Sequence, residues 1–155
     1  MNEPLKKFLH DIAIAARQNL ERHGEIMPVA FITGSKNFII PCPWKNDNEK
    51  EFIMLVLRHK AAEVKADMAV ILSEIWMSHM KPGQTLEDWD SKMPGQDPQR
   101  KEAVMFYVET MDGCWYGSAE IIRTKGKPPT FGEVKYNPMG ERHEIERMQS
   151  ILPEE

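Results

Sequence analysis

Residues 102–124 read EAVMFYVETMDGCWYGSAEIIRT, and this stretch decides the fold. Asp112-Gly113 is a favoured dipeptide for a two-residue hairpin turn, where both central positions take positive φ. It stands between two runs rich in β-branched and aromatic residues, Glu102–Met111 and Cys114–Thr124. With that turn, Thr110 faces Trp115, Tyr107 faces Ser118 and Phe106 faces Ala119. Side chains alternate along a strand, so the register sorts every residue onto one of two faces. One face holds Val104, Phe106, Val108, Trp115, Ala119 and Ile121, and is the core side. The other holds Met105, Tyr107, Glu109, Met111, Tyr116, Ser118 and Glu120.

Working outward, Met68–Met77 is a long apolar strand with Val70, Leu72, Glu74 and Trp76 on one side. Ile26–Thr33 and Phe38–Ile40, joined by Gly34-Ser35-Lys36-Asn37, read as another hairpin. Leu5, Phe8, Leu9, Ile12, Ala13, Ala16 and Leu20 recur at three- and four-residue steps, which predicts a helix from about residue 4 to 23. Pro4 suits its first turn and Gly24 its C-terminal cap. Asn46 and Glu49 have capping-box spacing and open a second helix reaching about Lys65. Phe52, Leu55, Val56, His59 and Ala62 share one side of it, with Ile53, Leu57 and Val64 beside them. So wide an apolar surface predicts packing against a sheet. Phe131–Tyr136 is a short last strand, and Ile145, Met148 and Leu152 suggest a short helix in a polar tail, residues 137–155.

Hairpins dominate, with one helix before the sheet and one inside it, and this is an α+β pattern. The expected architecture is a single domain over residues 1–155. It has about six mostly antiparallel strands with two long helices packed on one face. Residues 78–100 lack periodicity and form a long loop or arm. Loops of that length are uncommon in compact domains and are often functional. Trp89 within it suits an ordered arm, because indole ordinarily seeks burial or an interface.

Composition limits the functions. The 155 residues carry 20 basic and 24 acidic side chains, net −4, which is the wrong balance for a duplex-binding domain. The local exception, Arg123, Lys125, Lys127 and Lys135 around Gly126-Pro128-Pro129, reads as a solvated hairpin tip. Two cysteines, Cys42 and Cys114, are too few for a disulfide framework. No apolar run approaches membrane-spanning length and no secretory core is present, so the expected location is cytoplasmic. Phosphate-loop, dinucleotide, Cys-x-x-Cys, His-Glu-x-x-His and nucleophile-elbow motifs are absent. No two of the five histidines lie within five residues, so no metal site is expected, and no pattern asks for a cofactor. His79, at a strand end beside the long loop, is the histidine best placed for a role.

Ser73-Glu74-Ile75-Trp76, followed by Asp97-Pro98-Gln99-Arg100 before the next strand, resembles a pattern in small uncharacterised bacterial and phage proteins. The resemblance implies an accessory α+β domain and carries no catalytic residue. It makes Glu74, Trp76 and Arg100 a set, with a Glu74–Arg100 ion pair anchoring the arm under Trp76. The expected function is self-association or protein-partner binding, without a catalytic role. The interface would be built from the outer sheet face and the arm: Glu74, Trp76, Trp89, Arg100, Tyr107, Glu109, Tyr116 and Glu120. Met and aromatic residues on that face are typical of interface cores. The alternative is a small hydrolase-like or ligand-binding protein whose pocket gathers Glu74, Glu109 and Glu120 with Tyr107 or His79 under the arm.

Overall fold

Asn2 stands in extended backbone, and its Oδ1 accepts the Leu5 amide at 2.9 Å. That bond opens α1 (Glu3–His23), with Pro4 in the first turn, where its missing N–H costs nothing. Gly24 closes the helix at φ 77°, a left-handed conformation that glycine adopts without strain, and its amide donates to the Leu20 carbonyl. The computed structural model describes residues 1–77, 101–140 and 150–153. After α1 come β1 (Val29–Thr33), β2 (Asn37–Pro41), α2 (Asp47–Glu63), β3 (Met68–Met77), β4 (Lys101–Thr110), β5 (Gly113–Ile122), β6 (Thr130–Phe131) and β7 (Lys135–Gly140).

The strands form one sheet in the order β2-β1-β3-β4-β5-β6, with β7 also on β5, and every described pairing is antiparallel. The fold is α+β, with seven strands among the described residues instead of about six. The difference lies at the end of the chain. The expected strand at 131–136 is two: β6 pairs with Ile121–Ile122, and β7 pairs with Cys114–Ser118. β7 therefore takes residues 137–140 out of the expected tail. Ile145 and Met148 of the expected C-terminal helix lie outside the described residues, as does the arm at 78–100.

The helices do not share a face. Val70 and Leu72 of β3 join α1 in one buried cluster, with Val104, Phe106 and Val108 of β4. Ala69 and Ile71, their neighbours on the opposite side of the strand, join Leu57 and Ala61 of α2 in another. The central strands are apolar on both sides, and one helical layer cannot cover two faces. α1 buries Leu5, Leu9, Ile12, Ala13, Ala16 and Leu20, the stripe read from the sequence.

The β4–β5 hairpin keeps its predicted faces but slides by two residues. Tyr107 pairs with Tyr116 and Thr110 with Gly113, so the two loop residues are Met111 and Asp112. Thr110 explains the slide. Its Oγ1 accepts the Asp112 amide at 3.1 Å and donates to the Gly113 carbonyl at 3.3 Å, closing the turn one residue earlier. A slip of two preserves facing, because the strand period is two.

Candidate functional site

The register places Tyr107, Glu109, Cys114, Tyr116, Ser118 and Glu120 on the sheet face that carries α2. Glu109 is 0 % exposed. Its carboxylate accepts the Ser150 hydroxyl at 2.5 Å, the Ile151 amide at 2.7 Å and the Leu152 amide at 3.4 Å. The Tyr107 hydroxyl also donates to it, at 3.4 Å. Arg58 of α2 donates from Nε to the Ser150 carbonyl at 2.8 Å. Residues 150–153 are thus clasped between α2 and the sheet, with Ile151 and Leu152 buried among the α2 cluster. Burial, reinforced by the neighbouring Glu109 charge, raises the Tyr107 phenol far above its ordinary range. A carboxylate filled by O–H and N–H donors holds structure together. It is not a base facing open solvent.

Glu74 lies on the other face, since it pairs with Val104 of the α1 cluster. Its Oε1 accepts the Ile26 amide at 2.6 Å, pinning the chain between α1 and β1. Burial raises its pKa, and the Ile26 bond works against that. Beside it, Arg123 bonds Glu102 at 2.8–2.9 Å and the Gly24 carbonyl at 2.9 Å. This cluster anchors the end of α1, whereas the expected Glu74–Arg100 pair involves Arg100, which lies outside the described residues. Arg123, read from the sequence as part of a basic hairpin tip, is committed to that contact. Glu120 is exposed and sits 3.7 Å from Lys101. Glu74, Glu109 and Glu120 therefore do not converge, and a pocket built on the three does not form. Trp76 is exposed next to Glu102, and Tyr116 stacks at a tilt on Tyr107 with ring centroids 5.6 Å apart. Trp89, Arg100 and His79 lie outside the described residues.

Among the described residues, no group of three or more His, Cys, Asp and Glu side chains is placed to hold a metal ion. Both cysteines are buried and neither is in a disulfide, and burial pushes the Cys42 thiol up to about 11, which keeps it protonated and unreactive.

α2 holds what sequence reasoning misplaced. Asn46 caps it, accepting the Glu49 amide at 2.9 Å, while Glu49 reaches back to the Lys45 amide. Leu57 and Ala61 are fully buried, with Ile53 and Met54 partly so. Phe52, Leu55 and Val56 point the other way and are 66 %, 61 % and 40 % exposed. The helix is apolar on two sides and uses one of them. Isolated exposed apolar residues are ordinary, but three on adjoining turns of one helix make a patch.

A family model, bacteriophage lambda protein ea47, matches residues 1–143. The chain belongs to that family. The ea47 match runs from α1 through β7, so it spans every helix and strand described and stops short of the clasp at 150–153. It supports the expectation of a small phage-type protein. No curated protein and no solved structure matches the chain. No helix among the described residues of this ea47-family chain is long and apolar enough to cross a membrane.

Proposed function

We propose that this ea47-family protein is a single-domain accessory protein that works by self-association, with the outward face of α2 as the contact. The observation that carries the reading is the exposed Phe52–Leu55–Val56 patch, on a helix whose other side is already seated on the sheet. The outer sheet face is a poorer candidate, because residues 150–153 bury Tyr107 and Glu109.

A second copy fits the charge pattern. The first half of α2 carries Asp47, Glu49 and Glu51 with one lysine, Lys50, and the second half carries Arg58, His59 and Lys60 with one glutamate, Glu63, which pairs with Lys60 at 2.9 Å. Two such helices running antiparallel about a two-fold axis set Glu49 near Lys60 on one flank and Glu51 near Arg58 on the other. Phe52 of each copy then lies against Leu55 and Val56 of its mate. Antiparallel helix dipoles add to the match. An isologous contact of this kind is the commonest route to a dimer. The patch is small beside the ~1,200–2,000 Å² of a stable interface, so the expected affinity is micromolar.

Sedimentation velocity from 1 to 500 μM tests it. The wild-type protein should pass from monomer to dimer across that range. Leu55→Glu should remain monomeric with an unchanged melting temperature, and Glu51→Lys should weaken the dimer. A wild-type protein that is monomeric throughout, or a dimer indifferent to Leu55→Glu, rejects the reading.

A further inference from the structure

The opposite face carries a feature that self-association through α2 does not use. A cleft of about 600 Å³ opens between α1 and the strand pair β5–β7. Small-molecule sites commonly enclose ~300–1,000 Å³ and combine apolar walls with a few polar groups. Here Leu9, Ala13, Trp115 and Val134 supply apolar wall, and Lys6, His10, Arg17 and Lys135 supply basic groups, against Glu133 alone. Lys6, His10, Ala13 and Arg17 follow one another at three- and four-residue steps, so one stripe of α1 presents three basic side chains with a small residue leaving room between them. In a chain of net charge −4, this is a local reversal of sign.

The cleft is built rather than left over. Arg17 donates to the Phe131 and Gly132 carbonyls at 2.9 and 3.0 Å and lies 4.9 Å from the Phe131 ring centroid. Those two bonds use two of the five guanidinium N–H donors and fix its plane. Across the cleft, the Tyr136 ring lies over Gly117, where any Cβ would collide with that ring and with Val134. Gly117 thus reserves the space that seats this wall. Among the described residues, the Tyr136 hydroxyl is the buried side-chain polar atom left without a hydrogen-bond partner. Buried hydroxyls ordinarily find one.

We propose that this cleft binds a small organic anion: a flat aromatic or heteroaromatic ring bearing a carboxylate or phosphate group. The ring takes the place of water between Ala13 and Trp115. The acid group meets Lys135 and the basic stripe of α1. Charge alone would not require an apolar wall, and an apolar ligand alone would leave the basic groups unused.

Two probes separate the sources of the anion. 2-Naphthoate and adenosine monophosphate are titrated separately to 5 mM into the isotope-labelled full chain, with inorganic phosphate as the third arm, and amide and indole shifts are followed. Saturable shifts at Ala13, the Trp115 indole and Tyr136 with at least one ring-bearing probe are expected, and the tighter probe names the acid group. Inorganic phosphate should bind at least tenfold more weakly. Lys135→Glu, at an exposed position, should weaken the preferred probe at least fivefold without moving the melting temperature. Leu55→Glu should leave the binding unchanged. Shifts centred on α2, phosphate binding as tightly as the ring-bearing probes, indifference to Lys135→Glu, or no saturable shift with either ring would each overturn the proposal.

Discussion

The two faces of the sheet are closed in different ways. On one, α1 lays down a single continuous stripe of six buried residues, and Phe106, Val70 and Val104 meet it from the sheet. On the other, α2 contributes Leu57 and Ala61, and further cover comes from residues 150–153, held by a carboxylate. The first closure is apolar and continuous. The second is assembled from an apolar half and a polar clasp, and it leaves apolar residues of its helix outside. A helix with one apolar stripe is complete once docked. α2 keeps a second apolar stripe exposed after docking, and this is why its outward face draws the functional reading.

The sharpest way to break that comparison is to remove equal side chains from each closure. Leu20 in α1 and Leu57 in α2 are both 0 % exposed. Leu20→Ala and Leu57→Ala should each cost about 3 kcal/mol in urea unfolding, within the ~2–5 kcal/mol range for a buried leucine. Leu55→Ala, two residues from Leu57, should stay within about 0.5 kcal/mol at concentrations where the chain is monomeric. A loss at Leu55 comparable to that at Leu57 would mean that the outward stripe is packed within the same chain.

Much of the first closure could be read from the sequence, and much of the second could not. α1 is announced by its spacing and by Asn2, Pro4 and Gly24 at its ends, all local signals. The two faces of the β4–β5 hairpin follow from alternation alone, and they survive the two-residue slide that Thr110 imposes. α2 has a much weaker one-sided pattern, because a helix apolar on two sides does not say which side meets the sheet. Phe52 looks more like a core residue than Ala61 does, and the sheet takes Ala61. Ala61 and Leu57 sit where close approach to Ala69 and Ile71 favours compact side chains. The clasp was hidden for another reason. Two of the groups Glu109 captures are backbone amides, which every residue but proline carries, so only the Ser150 hydroxyl could have marked this segment, and serine is too common a surface residue to do so. The cleft was equally hidden, because nothing in the spacing of Lys6, His10 and Arg17 says that β7 lies beside them.

The polar closure is tested by emptying the clasp. Glu109→Ala removes the acceptor for the Ser150 hydroxyl and for the Ile151 and Leu152 amides, and leaves buried donors unpaired. The expected cost is about 2–3 kcal/mol, since several hydrogen bonds are lost and orphaned buried donors are penalised. Hydrogen exchange gives the finer reading. The Ile151 amide should lose its protection while the amides of α1 keep theirs. Equal loss in both places would mean that the two closures form one cooperative unit.

Glu74 gives the smallest effect and closes the comparison, because it is the carboxylate of the first face that also captures a backbone amide. Its pKa in the folded chain is raised above 4.5, with burial as the main cause. A raised acid binds its proton more tightly folded than unfolded. Its contribution is therefore most favourable at low pH, and it is lost as pH rises from about 4.5 through the folded-state value. Glu74→Gln keeps a carbonyl oxygen for the Ile26 amide and has no proton to lose. The variant should match the wild type near pH 4 and become the more stable of the two as pH approaches 7, with the difference in urea midpoint rising smoothly between. Arg123 pulls the other way by favouring the ionised form. A difference that stays flat or changes sign would show that the nearby guanidinium outweighs burial at Glu74. The first face would then rest on a polar contact as the second does, and the contrast between an apolar closure and a polar one would no longer hold.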